Sequence, residues 1–139
     1  GRQYTVRLGD VDLERDDEPS SPETFRVVEI REHPWFNKPF GYNDLAIMLL
    51  DRTPTRSRYV MPLCLPPPSA HSDTFVDQTA TVVGWGNAYE GGDHSTVQRQ
   101  VELPVWQNDI CYQHYIFFRS MNSSFICAGD RTGRKHICQ

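Results

Sequence analysis

The chain has 139 residues, of which 38% are hydrophobic and 12% aromatic, an ordinary composition for a globular protein. Its formal net charge of −4 at pH 7 argues against a surface that binds nucleic acid. Because no apolar run approaches the ~18 residues that a membrane-spanning helix requires, the sequence also predicts no membrane partner.

The N-terminal half contains three predicted β-strands. Residues 4–8 alternate between polar and apolar side chains, and residues 25–30 form a second β-rich run with imperfect alternation. Residues 45–50 are six consecutive apolar residues, which predicts a strand buried on both faces. Asp44 stands at the start of this strand. It is either a turn residue that caps the strand or an acid that requires a partner.

A cluster of acidic residues separates the first two predicted strands. Six acidic side chains fall within nine positions: Asp10, Asp12, Glu14, Asp16, Asp17 and Glu18. Such a charge run is typical of a solvated loop. The alternative is a calcium-binding loop, because calcium takes several oxygen ligands.

The C-terminal half begins with a proline-rich connection and continues as strands. Residues 65–73 predict an extended surface crossing between two subdomains, or alternatively a loop within one domain. Residues 79–86 form a predicted strand that ends in glycine. In the next strand, residues 97–105, alternate side chains share one apolar face, and Pro104 indicates an edge or a bulge.

A short helix and a last strand complete the pattern. Asn108 or Asp109 is a suitable cap for a helix that extends to Phe118, and residues 125–128 form the last predicted strand. Short strands separated by turn signals predict an all-β sandwich or barrel.

Four cysteines allow three disulfide pairings, and spacing alone does not choose among them. They are Cys64, Cys111, Cys127 and Cys138. A metal site of Cys111, His114 and two further cysteines is an alternative, but its spacing fits no common zinc template. Disulfides predict an oxidising compartment. A glycosylation acceptor at Asn122 agrees with secretion.

Six short motifs occur in the order that is typical of the trypsin/chymotrypsin family of serine endopeptidases, which the chain resembles. Their detailed sequences are most similar to those of arthropod clotting and immune-cascade proteases. The motifs are Val6-Arg7-Leu8-Gly9, Asn43-Asp44-Leu45-Ala46-Ile47-Met48-Leu49, Pro62-Leu63-Cys64-Leu65-Pro66, Val82-Val83-Gly84-Trp85-Gly86, Val101-Glu102-Leu103-Pro104-Val105 and Ile126-Cys127-Ala128-Gly129. The resemblance implies an all-β fold of two six-stranded antiparallel barrels with the active site between them. Residues 1–66 then belong to the N-terminal barrel, 67–73 to the crossing and 74–139 to the C-terminal barrel.

The same resemblance implies that the chain is an internal fragment with one member of a catalytic triad, Asp44. The family's catalytic histidine is expected upstream of Gly1, and its catalytic serine immediately after Gln139. We therefore expect a secreted endopeptidase, made as a zymogen, that acts on proteins or peptides. A catalytically inactive homologue that binds partners in a proteolytic cascade is the main alternative. An unrelated β-sandwich binding module is a third.

The resemblance also assigns roles to the cysteines. It implies that Cys111 and Cys127 are bonded to each other. Cys64 corresponds to the cysteine that tethers the catalytic domain to an upstream light chain or pro-segment. The partner of Cys138 is expected downstream of the chain.

Two further sites follow from the resemblance. Some family members bind calcium near the positions of Asp10, Asp12 and Glu23, although no cofactor is required for the chemistry. Trypsin-like members carry an aspartate at the base of the specificity pocket, two residues before the cysteine that corresponds to Cys138. This chain has His136 there, and Ile137 and Gln139 complete the predicted pocket segment.

Overall fold

A computed structural model describes residues 3–87, 89, 91–114 and 124–133 of the chain. The molecule divides into two compact units, Gly1–Leu65 and Pro66–Gln139. Each unit contains a three-stranded antiparallel sheet. The expectation of an antiparallel all-β architecture is therefore confirmed.

The first unit is built from β1 (Thr5–Leu8), β2 (Glu23–Glu32) and β3 (Ala46–Leu50), in the spatial order β1-β2-β3. The pairing of β2 with β3 shifts register between Val27 and Glu29, which marks a β-bulge. Because a bulge adds one residue to a strand, it reverses the alternation of side chains partway along β2. This explains the imperfect pattern of its sequence.

The core of the first unit lies under the start of β2. Phe25 is fully buried, and its partner in the β1 register is Val6. The guanidinium carbon of Arg52 lies 4.2 Å from the centroid of the Phe25 ring, a cation–π contact. Strand β3, which follows β2 in the chain, is more exposed than its sequence predicts.

The prediction that residues 45–50 are buried on both faces is wrong for this structure. Ile47 is 65% exposed and Met48, on the opposite face, is 46% exposed. Strand β3 occupies the outer position of its sheet, and β2 is its partner within the described residues. An apolar run shows that a strand suits a buried position, but burial also requires elements that cover both faces of the sheet.

The second unit is built from β4 (Thr79–Gly84), β5 (Arg99–Trp106) and β6 (Cys127–Ala128), in the order β4-β5-β6. A 3₁₀ turn at Ser72–Phe75 precedes the sheet, and helix α1 (Asn108–His114) connects β5 to the region of β6. The predicted apolar face of β5 is buried at Leu103 and Val105.

Pro104 is neither at a sheet edge nor in a bulge, because β5 is the central strand and its register with β4 is continuous. The next residue, Val105, forms the hydrogen bonds to the β4 side: its N–H donates to Gln78 and its carbonyl accepts from Asp77. Proline at position 104 therefore removes no hydrogen bond on that side of the ladder. On the β6 side, the carbonyl of Pro104 accepts the N–H of Gly129.

Candidate functional site

A turn of residues 33–45 carries Asp44 to the start of β3. Asn43 adopts a left-handed backbone conformation (φ 55°), which asparagine tolerates better than most residues. Its side-chain amide donates to the carbonyl of Trp35 over 3.0 Å, and its own carbonyl accepts the N–H of Leu45 over 2.8 Å. The N–H of His33 donates to the carbonyl of Leu45 and closes the turn. The backbone on both sides of Asp44 is therefore fixed.

The Asp44 side chain is exposed at the mouth of this turn. Among the described residues, no hydrogen bond or ion pair involves its carboxylate, although other acids of the same unit are paired with arginines. Within the described residues, the Asp44 carboxylate does not bond the local backbone, whereas the side chain of Asn43 does. The geometry instead leaves both carboxylate oxygens available to a partner.

The one histidine of this turn is not positioned as that partner. The Nδ1 atom of His33 accepts the backbone N–H of Trp35 over 3.2 Å, and the two rings meet edge to face at 5.8 Å. A histidine oriented by a catalytic carboxylate donates its Nδ1–H to that carboxylate. Since His33 uses Nδ1 as an acceptor, its tautomer is the opposite one.

Cys111 on α1 and Cys127 on β6 form a disulfide, with their Cα atoms 6.1 Å apart and a sequence separation of 16. A loop of this length is stabilised by ~3 kcal/mol in the chain-entropy model. The zinc alternative for these cysteines is wrong, because a disulfide provides no thiolate ligand.

The same corner of the second unit contains contacts that the sequence did not predict. The indole N–H of Trp106 donates to the carbonyl of Gly129 over 2.8 Å, and the guanidinium of Arg131 lies 4.5 Å from the Trp106 ring centroid. The Asn108 amide donates to the carbonyl of Phe125 over 3.1 Å. These contacts join β5 and the start of α1 to the chain on both sides of Cys127.

Cys64 is a free, exposed thiol between two exposed leucines, Leu63 and Leu65. The other predicted site residues, namely Asn122, His136, Ile137, Cys138 and Gln139, lie outside the described residues.

We predict that peptide mapping of the full-length protein under non-reducing conditions yields a Cys111–Cys127 peptide and no peptide that joins Cys64 to Cys138. Mapping after complete reduction and alkylation is the control, because all four thiols must then carry the alkyl label. A Cys64–Cys138 peptide from the unreduced protein would contradict the assignment.

Two of the residues expected to bind calcium, Asp10 and Glu23, lie beside arginines. Asp10 lies against Arg7, while Glu23 lies on β2 with its carboxylate 3.7 Å from Arg52. In the part of the chain that the structure describes, no group of three or more His, Cys, Asp or Glu residues is arranged to hold a metal ion. The arginines were the signal that the sequence analysis missed.

The two antiparallel sheets and the Cys111–Cys127 disulfide describe an all-β protein. Comparisons with known proteins identify its family. The family model described as Trypsin matches residues 1–139. The chain therefore belongs to the trypsin family of serine proteases, as its motifs predict.

The chain is similar to the proclotting enzyme of Tachypleus tridentatus, with 33% identity over 136 residues, 98% of this chain and 36% of that protein. It is similar to a venom protease of Bombus pensylvanicus, with 32% identity over 98% of this chain and 55% of that protein. A solved structure described as "Structure of GrC" matches with a TM-score of 0.77 and 30% identity, over 94% of this chain and 55% of that chain. This chain thus spans about half or less of these relatives.

Among the described residues, no helix has the length and apolar character needed to cross a membrane.

Proposed function

We propose that the chain is part of a secreted serine endopeptidase, made as a zymogen, which hydrolyses peptide bonds of protein substrates through a Ser-His-Asp triad. The observation that carries this proposal is the match of the trypsin family model over residues 1–139. The names of the relatives, a proclotting enzyme and a venom protease, support a protease of extracellular fluids. The reaction requires no cofactor.

In this proposal Asp44 is the acid of the triad. Serine is a weak nucleophile at neutral pH, so a histidine must accept its proton during attack on the substrate carbonyl. The carboxylate accepts the Nδ1–H of that histidine, which fixes the tautomer and stabilises the imidazolium that forms. The hydrogen-bonded turn, and the lack of any partner for the Asp44 carboxylate among the described residues, support this role. The histidine and serine belong to other parts of the proposed enzyme.

The alternative function is a catalytically inactive homologue that binds partners in a proteolytic cascade. A residue other than serine at the catalytic serine position of the full-length protein would favour this inactive homologue. Labelling the activated full-length protein with a fluorophosphonate probe distinguishes the two proposals, because the probe reacts with an activated serine. Labelling that a prior heat treatment abolishes supports the protease, whereas unlabelled but correctly folded protein supports the inactive homologue.

Substrate specificity is proposed from the pocket segment of His136, Ile137 and Gln139. A histidine carries no negative charge in either protonation state, so it cannot pair with a substrate guanidinium or ammonium group. An unpaired cation in a closed pocket costs several kcal/mol. We expect Ile137 to narrow the same pocket. We expect the enzyme to prefer an apolar or acidic residue at the cleavage position.

Profiling the activated full-length enzyme against a peptide library tests this specificity. Cleavage after Arg or Lys should be at least ~100-fold less efficient than cleavage by a trypsin, because each 1.4 kcal/mol corresponds to about tenfold. Cleavage after an acidic residue should improve below the histidine's ordinary pKa of ~6.5, where His136 is positively charged. Efficient cleavage after Arg or Lys would show that another residue supplies the negative charge.

Cys64 is proposed as the attachment point for an upstream light chain or pro-domain. Its thiol is exposed in the described structure, as an intermolecular or interdomain bond requires. The proposed arrangement keeps the activated catalytic domain attached to its upstream partner after cleavage.

A further inference from the structure

Arg7, on strand β1, faces a set of oxygen atoms from the acidic loop, which we define as residues 10–18. Its Nε atom lies 2.5 Å from Oδ2 of Asp10, and its Nη2 atom donates to Oδ1 of Asp16 over 2.8 Å. The same Nη2 atom lies 3.5 Å from the carbonyl oxygen of Arg15. Two carboxylates and one carbonyl thus surround a single positive charge, a ligand set of the kind that calcium takes.

Asp10 depends on that charge. Its side chain is only 4% exposed, and within the described residues neither of its carboxylate oxygens has a hydrogen bond of good geometry. A buried carboxylate without hydrogen bonds requires an opposite charge in contact with it. Arg7 supplies this charge, and the hydrogen bond to Asp16 raises the pKa of Arg7, which keeps the guanidinium protonated.

Two further acids of the loop, Glu18 and Asp17, are engaged in hydrogen bonds. The two oxygens of Glu18 accept the backbone N–H groups of Val11 and Asp12, over 3.3 and 3.0 Å. Asp17 forms two hydrogen bonds with Arg15, over 3.0 and 3.2 Å. Calcium requires six to eight oxygen ligands, and the Arg7 guanidinium lies against the oxygens of Asp10 and Asp16 that would have to provide some of them. The residues present therefore do not fit a calcium site.

We infer that Arg7 takes the place of a metal ion in this loop, so that the loop folds independently of calcium. The inference concerns the loop alone and does not depend on the proposed protease activity. The inference also predicts how the loop behaves when Arg7 is replaced. Without the guanidinium, Asp10, Asp16 and the Arg15 carbonyl are left with no cation, and calcium becomes the ion that balances them.

The test measures the thermal midpoint of unfolding of the full-length protein in EGTA and in millimolar calcium. The wild-type midpoint should be the same in both buffers, because a ligand shifts stability only if it binds the folded state. Arg7→Gln should lower the midpoint by several degrees in EGTA, and calcium should restore most of the loss. Calorimetric titration of calcium should give heat with Arg7→Gln and none with the wild type.

Arg15→Gln is the matched control, because it removes the same charge from the same loop. Its partner Asp17 has a side chain that is 78% exposed, so water replaces the lost contact and calcium should not change the midpoint. If Arg7→Gln does not fold in either buffer, Arg7→Lys decides, since it retains the charge and should be indifferent to calcium. Calcium binding by the wild type, or an Arg7→Gln protein that folds and ignores calcium, overturns the inference.

Discussion

Replacing Asp44 by Asn in the full-length enzyme is expected to lower turnover at neutral pH by about four orders of magnitude. This is the known effect of the same change on the Ser-His-Asp triad of chymotrypsin-like proteases. Asparagine has the shape of aspartate but carries no charge, and its amide group favours the wrong histidine tautomer. The measurement is kcat on a peptide ester or amide with the activated enzyme.

Stability and substrate binding should change little in Asp44→Asn. The side chain is exposed and takes no part in the hydrogen bonds of the described residues, so the thermal midpoint should remain close to that of the wild type. Asp51→Asn is the matched control at the other end of β3. Its carboxylate accepts the backbone N–H of Arg26 over 3.1 Å and lies 3.5 Å from the Arg52 guanidinium. Asparagine retains an acceptor but loses the ion pair, so the change should affect stability and not turnover. Activity of Asp44→Asn within about threefold of wild type would contradict the triad role.

The local structure was largely predictable from the sequence because strand type depends on short-range patterns. The apolar face of β5 is a period of two in the sequence, and it is the face that buries Leu103 and Val105. Asp44 was singled out by its place before an apolar run, and the structure places it at the start of β3. Both inferences use only neighbouring residues.

The features that the sequence did not predict depend on the path of the chain and on how its elements pack, which short-range patterns do not encode. The exposure of β3 is decided by which elements cover its sheet, and a run of apolar residues contains no such information. The pairing of Arg7 with Asp10 and Asp16 is decided by the path of the loop. A charge pattern alone therefore predicted a solvated or calcium-binding loop. Pro104 was misassigned because a proline tolerates a central strand when its missing N–H is not needed by the neighbouring strand.

Replacing Phe25 by Ala in the chain of residues 1–139 is expected to lower the free energy of unfolding by ~3–5 kcal/mol. Phe25 is fully buried on β2, and its ring also carries the cation–π contact with Arg52. Alanine would leave a cavity and remove the aromatic face. Since small domains are stable by only ~5–15 kcal/mol, the first unit should lose most of its stability. Urea unfolding, followed by circular dichroism and hydrogen exchange of β1 and β2, measures the loss.

Val28→Ala is the control within the same strand, because Val28 is apolar but 52% exposed. Its cost should be below ~1 kcal/mol, since exposed substitutions rarely destabilise by more. Phe25→Leu helps to separate the two contributions of the ring, because it retains most of the buried apolar volume but loses the aromatic face that contacts Arg52. Its cost should fall between those of the other two variants. If Phe25→Ala and Val28→Ala cost the same, Phe25 is not the core of the first unit, and the stability of β2 must come from its backbone pairing with β1 and β3.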